Sequence, residues 1–422
     1  MNAPLLTLAV KSLLNRRATV LLTVAAIAFS VALLLGVEKV RVGAQQSFAN
    51  TISGTDLIVG ARSGSIQLLL YSVFRIGDAT NDISWESYQD IQAWKDVDWT
   101  VPISLGDSHR GYRVVGTTEE FFTRYRYGRR QALTFEAGRA LDDLYDTVIG
   151  ADVAAELGYS IGQKIVLAHG AGALELRKHD DKPFIITGIL ARTGTPVDRS
   201  VHVSLEGIEA IHIDWQDGRA PRLGQAVSAA EARTRDLQPR RVTAVLVGLK
   251  SRLAAFTVQR RINTYKDEAL LAILPGVALQ QLWDAIGGLE KALLAISVMV
   301  VITGLLGMVA VSLGALNERR REMAILRSVG ARPIHIFALL VLESGVLATA
   351  GALAGTALLY AGLFVAQPLV LSSFGFHLPV AWPSAWEAVL LGLVLVAGLL
   401  SGAIPAALAY RRSLSDGMAI RI

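Results

Sequence analysis

The chain has 422 residues, of which 52% are hydrophobic and 18% charged, and none is a cysteine. Soluble domains carry about 25% charged residues, so this balance, with a mean hydropathy of +0.43, points to membrane segments; the missing cysteines exclude disulfides, thiolate metal sites and a cysteine nucleophile. A pI near 9.4 and a net charge of +5 do not mark a nucleic-acid binder, because the basic residues gather at the ends of apolar runs and form no long basic tail.

At the N-terminus, Leu6, Ala9, Val10, Leu13 and Leu14 recur at helical spacing, with Thr7, Lys11 and Asn15 elsewhere. Residues 1–17 are read as a cytoplasmic helix lying on membrane lipid; a plain extension of the first span is the alternative. Ala18 to Val37 then gives 20 residues without a charge, and about 20 such residues cross the ~30 Å of hydrocarbon. A signal peptide would use Lys11, Arg16 and Arg17 as its basic region. Its apolar core is usually roughly 7–15 residues, and no Ala-x-Ala site follows here, where the chain reads Glu38-Lys-Val-Arg41. Residues 18–37 are therefore expected to remain as the first transmembrane helix.

Residues 38–290 hold no comparable run and are expected to form a large, mixed α/β extracytoplasmic (periplasmic) domain. Glu38–Ala49 and Leu279–Leu289 are expected as helical stalks, which transmit a push that a flexible linker absorbs. Strands are expected at Asp56–Gly60, Lys164–Leu167, Phe184–Gly188, Val201–Val203 and Val242–Val247, each short, apolar or β-branched and bounded by turn residues. Helices are expected at Asp152–Leu157 and Arg252–Asn263, and a polar loop or insertion at Arg219–Arg241. Among His109, His169, His179, His202 and His212, only His179-Asp180-Asp181 forms a dense cluster, and its polar setting favours a solvated turn over a metal site. No catalytic residue and no metal ligand is assigned, since the chain lacks the Gly-x-x-x-x-Gly-Lys-Ser/Thr, His-Glu-x-x-His and Gly-x-Ser-x-Gly patterns.

Three further charge-free runs follow: Ala292–Leu316 with 25 residues, Ser344–Ala366 with 23 and Ala388–Tyr410 with 23. They define spans at 291–316, 336–366 and 387–410. Between them lie a segment at 317–335 and a short loop at 367–386, and a tail follows at 411–422. The fold class is thus an α+β membrane protein with four transmembrane helices and the mixed domain between the first and second. Glu343 and Glu387 stand just before the last two runs, and so few ionisable groups argue against ion-driven secondary transport. Lys11, Arg16, Arg17, then Arg319, Arg320, Arg321, Arg327 and Arg332, then Arg411, Arg412 and Arg421 flank the spans on one side, while Gln367–Trp386 has no lysine or arginine. By the positive-inside rule both termini and the 317–335 segment are cytoplasmic.

That segment reads Asn317-Glu-Arg-Arg-Arg-Glu-Met-Ala-Ile-Leu-Arg-Ser-Val-Gly-Ala331, then Arg332-Pro333. A basic stop-transfer cluster explains the arginines but not Glu318 and Glu322, nor Met323, Ile325, Leu326 and Val329. A short amphipathic docking helix explains both. Glu322 and Arg327, with Met323 or Leu326, are expected to face a partner, with Gly330 ending the helix and Pro333 starting the next. Further on, Gly351-Ala-Leu-Ala-Gly355 and Gly398-Leu-Leu-Ser-Gly402 repeat the Gly-x-x-x-Gly spacing of close helix approach, between two copies or within one chain.

The pattern Glu318-Arg-x-x-Glu322-x-Ala324-x-x-Arg327-x-x-Gly330-Ala331 resembles the signature of FtsX-like permeases, the membrane subunits of MacB-like (type VII) ABC transporters. Lys11–Arg16, Val148-Ile-Gly150 through Leu157-Gly158 and Ile161-Gly162 to Leu167, and Ile404-Pro405-Ala406 with Arg411-Arg412 are similar to other parts of that family. The tail Leu414-Ser415-Asp416-Gly417 departs from the Asp-Pro pair common there. The resemblance implies a bacterial inner-membrane, multi-pass subunit without enzymatic activity. Glu318, Arg319, Arg320, Arg321, Glu322, Met323, Leu326, Arg327, Gly330 and Ala331 would couple it to a separate ABC ATPase, present in two copies. A second permease copy would complete the assembly, with a periplasmic or outer-membrane partner as an optional addition. ATP and Mg would act through the ATPase, and no cofactor would be bound by this chain. Three functions fit the resemblance: extrusion or extraction of an amphipathic substrate (lipoprotein, lipid, peptide or drug), mechanical regulation of a periplasmic partner, or a part in metal (zinc) homeostasis. The long two-part outer domain favours the first.

Overall fold

The computed structural model describes Leu13 and residues 16–170, 177–178, 180–215, 227–318, 320–374 and 382–411. Most of the expected interfacial helix, His179, Arg319 and the tail beyond Arg411 lie outside the described residues. The chain divides into two compact units: residues 1–43, 287–369 and 378–422, and residues 44–286 with 370–377.

The first is a membrane unit. Its helices run Arg17–Thr51, Pro275–Glu318, Pro333–Phe374 and Ala385–Arg411, and each contains a stretch long and apolar enough to cross a bilayer. The first two have 35 and 44 residues. At 1.5 Å per residue they are about 52 and 66 Å long, well beyond the ~30 Å of hydrocarbon. The expected stalk residues are therefore one piece with their spans. The third helix runs on to Phe374, past the expected start of the loop at Gln367. The fourth opens on a capping box: Glu387 N–H donates to Ser384 Oγ at 3.2 Å, and Ser384 N–H donates to Glu387 Oε2 at 2.8 Å. Lys39 Nζ pairs with the same Glu387 carboxylate at 3.2 Å.

Both Gly-x-x-x-Gly sequences are used inside this unit. A Cβ on Gly351 would lie 2.6 Å from Ile27 Cβ, and one on Gly355 2.5 Å from the Ala28 carbonyl oxygen. Gly398 and Gly402 meet Ala348 and Ser344 in the same way, at 2.4 and 2.5 Å. Of the two readings of this spacing, packing within one chain is the observed one. Glu343 lies inside the third helix, 7% exposed. It lines a cavity of about 50 Å³ with Arg16, Thr19, Thr23, Ser312 and Ser344.

The second unit is built on a mixed sheet. Its strands include β1 (Leu57–Ala61), β2 (Val97–His109), β3 (Tyr112–Thr117), β4 (Phe135–Gly138), β5 (Asp146–Ile149), β6 (Lys164–Ile165), β7 (Ala168–His169), β8 (Phe184–Leu190), β9 (Ser200–Ser204), β10 (Ala244–Leu249) and β11 (Leu270–Ile273), and the two-residue strand Arg177–Lys178 pairs with β7. The main path is β11-β1-β10-β2-β3-β9-β5-β8-β4. The pairs β3–β9 and β5–β8 are parallel. The 13-residue β2 joins two halves: Val97–Ile103 pairs with β10, and Ser104–His109 pairs with β3. Strand β1 is buried on both faces, with Ile58 in one apolar cluster and Leu57 and Val59 in another, as its unbroken apolar run requires. A third cluster, around Val114, Ile149, Phe184 and Ile211, fills the other half.

Each expected strand is present, with shifted ends. The one expected at Val242–Val247 divides into Arg241–Val242 and β10. The helix expected at Arg252–Asn263 is a single 3-10 turn followed by Ala255–Asn263. Within the polar segment Arg219–Arg241, residues 219–226 are outside the described residues and Ala229–Ala232 forms one helical turn.

Candidate functional site

The segment between the second and third long helices forms a short helix, Arg320–Ser328. Its end is a Schellman motif: Ala331 N–H donates to Leu326 O at 2.9 Å and Gly330 N–H to Arg327 O at 3.0 Å. Gly330 has φ = +100°, in the left-handed region, where an L side chain meets its own backbone. Pro333 opens the next helix, as its fixed φ and missing N–H allow. Arg332 N–H donates to His335 Nδ1 at 3.2 Å, closing the turn.

The phase of the short helix sets what it presents. Ala324 is buried, and Met323 packs against Leu316, Ile336, Leu340, Ala406 and Ala409. One turn face is thus committed to the membrane unit itself. The opposite face carries Glu322, Ile325 and Val329 at helical spacing, all exposed, with Ile325 62% and Val329 83% exposed. Leu326 and Arg327 are half-buried, Arg327 on the same side as Met323 and Ala324 by helical spacing. Among the other residues singled out from sequence, Glu318 ends the second long helix and Arg320 and Arg321 begin the short one. Gly330 and Ala331 form the cap.

Of Met323 and Leu326, either of which is expected beside Glu322 and Arg327, Met323 packs inward, and the most exposed apolar residues are Ile325 and Val329. Sequence alone sees both sets in one amphipathic stretch. Only the packing against the neighbouring helices decides which set is free, because adjacent positions differ by about 100° around the axis.

The turn after His179 is also less open than its polarity predicts. Asp180 is exposed, but the Lys182 side chain is 0% exposed and holds Asp181 at 2.6 Å and Asp214 at 3.1 Å.

Two family models match the chain. One, described as FtsX-like permease C-terminal, covers residues 294–414. The other, described as MacB-like periplasmic core domain, covers residues 20–265. Among solved structures, the periplasmic region of MacB from Actinobacillus actinomycetemcomitans is similar at 9% identity with a TM-score of 0.32, over 55% of this chain and 94% of that one. The extracellular domain of the noncanonic ABC-type transporter YknZ from Gram-positive bacteria is similar at 12% identity with a TM-score of 0.29, over 52% of this chain and 99% of that one. No curated protein matches.

Proposed function

The chain belongs to the FtsX-like, MacB-like permeases of ABC transporters, and from that premise we propose that it couples a separate ATPase to movement of its inserted domain, so as to extrude or extract an amphipathic substrate. Both termini and the Arg320–Ser328 helix lie in the cytoplasm, as the arginine asymmetry supports, and residues 38–290 lie outside. Two ATPase subunits hydrolyse MgATP beneath a pair of permeases, and this chain binds no nucleotide. Closure of the ATPases moves the short helix, and the unbroken helices Arg17–Thr51 and Pro275–Glu318 carry that movement outward. The substrate is handled outside the bundle, and is a lipid, lipoprotein, peptide or hydrophobic drug.

The observation that carries this reading is the exposed Glu322–Ile325–Val329 face on a capped helix between spans. Burying an aliphatic side chain of this size contributes about 1.5–3 kcal/mol, and removing one partner of a desolvated charge pair costs about 2–5 kcal/mol. Val329→Asp and Glu322→Arg, each in full-length protein co-expressed with its ATPase, are expected to lose ATPase pull-down and substrate-stimulated hydrolysis at wild-type expression. A stop-transfer cluster would be strengthened by the added arginine. Unchanged binding and hydrolysis in both variants would overturn the coupling role.

A further inference from the structure

The inserted unit brings together three side chains that the coupling mechanism does not use. Asp107 lies near the end of β2 and His169 ends β7, and the two are direct antiparallel partners. His212 is the last residue of the helix Leu205–His212. Both imidazoles reach the same carboxylate oxygen: Asp107 Oδ1 is 3.2 Å from His169 Nδ1 and 3.6 Å from His212 Nε2. One donor atom from each residue lies within 4.8 Å of the other two. The imidazoles stack at 4.5 Å with 23° between their planes, and the Trp215 ring meets His169 edge-on at 4.4 Å.

These spacings match what a metal ion imposes. Tetrahedral bonds of about 2.0–2.1 Å to imidazole nitrogen and carboxylate oxygen put neighbouring donors about 3.3 Å apart, and the two measured separations straddle that value. Two imidazoles and one carboxylate form the donor set of zinc sites that keep a coordination position open. The Asp107 side chain is 4% exposed and each imidazole 28%, so the anchor is buried and the rings are partly exposed.

We propose that Asp107, His169 and His212 bind a divalent transition-metal ion, zinc by their donor set, with one position left for water or for a donor group of a substrate or partner. The ion would add a link from the end of the Leu205–His212 helix to β2 and β7, which already pair as strands. This site stands independently of the coupling mechanism.

The test uses the full-length chain, purified through a tag without histidine and stripped with chelator. Calorimetric titration with zinc chloride should give one ion per chain, and cobalt(II) should give the visible absorption of a four-coordinate nitrogen/oxygen site. Changing a group that merely supports a ligand weakens metal binding 10–100-fold; His169→Ala and His212→Ala, which remove ligands, should each weaken it by at least about 100-fold. His335→Ala, in the other unit, should bind as wild type does. Asp107→Asn keeps the shape of the anchor and should also lose affinity, and it decides the matter if either alanine variant fails to fold. No stoichiometric zinc on the wild type, or wild-type affinity in the histidine variants or in Asp107→Asn, would overturn the site.

Discussion

The membrane unit and the inserted unit hold together by opposite means. In the membrane unit large apolar side chains point outward: Phe29 is 66% exposed, Met299 67% and Leu306 60%. Cohesion comes from glycines that bring backbones together, Gly351 and Gly355 against the first helix and Gly398 and Gly402 against the third. In the inserted unit the large side chains are inside, with Tyr71, Phe121 and Phe184 at most 1% exposed, and even a lysine is buried between two aspartates. The solvent explains the difference. Water drives apolar surface inward, whereas lipid gives helices no hydrophobic reason to associate and leaves close packing as the main source of adhesion. The membrane unit thus packs through small residues, and the inserted unit through large apolar ones.

The contrast is broken most severely at Lys182. Its ammonium is fully buried, and Asp214 beside it is 2% exposed. Lys182→Met leaves the Asp214 carboxylate with the Val227 N–H, which donates at 2.8 Å, and without its buried cation. Removing one partner of a buried pair costs about 3–5 kcal/mol. Hydrogen exchange of the full-length variant, read by mass spectrometry, should show faster exchange in β8, β9 and the Leu205–His212 helix, with the membrane helices unchanged. The double variant Lys182→Met/Asp214→Asn should recover part of the loss. Wild-type exchange in Lys182→Met would show that the ion pair contributes little to the inserted unit.

The membrane side of the comparison is tested at Gly355. Leu at this position places a Cβ 2.5 Å from the Ala28 carbonyl oxygen and 2.9 Å from Val31 Cβ, so the first and third helices must separate. Overpacking of this kind costs about 1–3 kcal/mol. Gly362 lies on the same helix with nothing within 4 Å of an added Cβ, and Gly362→Ala is the control expected to change nothing. Thermal unfolding of the detergent-solubilised protein should fall for Gly355→Leu, while crosslinking between copies should not change. Loss of crosslinking with unchanged unfolding would move this glycine from the intrachain contact to a contact between permeases.

Much of this was legible in the sequence, and what was not has a physical reason. A charge-free run of 20 residues, such as Ala18–Val37, has few alternatives to crossing a bilayer, so the four spans could be read. Their ends could not, because a helix that starts at Pro275 or continues to Phe374 obeys no hydrophobic limit outside the hydrocarbon. The Gly330–Pro333 stop was legible because positive φ and a missing N–H are properties of single residues. The exposed face of the Arg320–Ser328 helix was not, since it depends on what Met323 packs against. Strand β2 escaped notice because Asp98, Thr100, Ser104 and Asp107 interrupt its apolar residues. The Asp107–His169–His212 cluster escaped with it, its members being 62 and 43 positions apart and brought together only by the fold. The Gly-x-x-x-Gly spacing announced a close approach but not its partner.

The mildest test concerns a histidine that the inserted unit keeps without its proton. His202 on β9 is 0% exposed and lies beside Phe121 and Phe122, at ring distances of 5.0 and 5.8 Å. Burial, with Arg75 adding like-charge repulsion, lowers its imidazole from 6.5 to about 3. The unfolded chain therefore binds a proton near pH 6.5 that the folded chain refuses until about pH 3. Stability from this group is complete above the unfolded value and is lost as the pH falls through the window between the two. A single such group gives a slope of about 1.4 kcal/mol per pH unit. His202→Phe removes the titration and fits among the same rings. It gives up the hydrogen bond to Val148 O at 3.3 Å, which lowers stability by about 1 kcal/mol at every pH. Hydrogen exchange of the β9 peptides between pH 7 and 4.5, corrected for intrinsic rates, should fall off more steeply in wild type than in His202→Phe. The membrane helices, with no such group among their described buried residues, should show no difference between the two proteins. Parallel pH profiles for β9 in both would mean that His202 is already protonated in the folded unit, and that this core tolerates charge as its buried lysine does, through a partner.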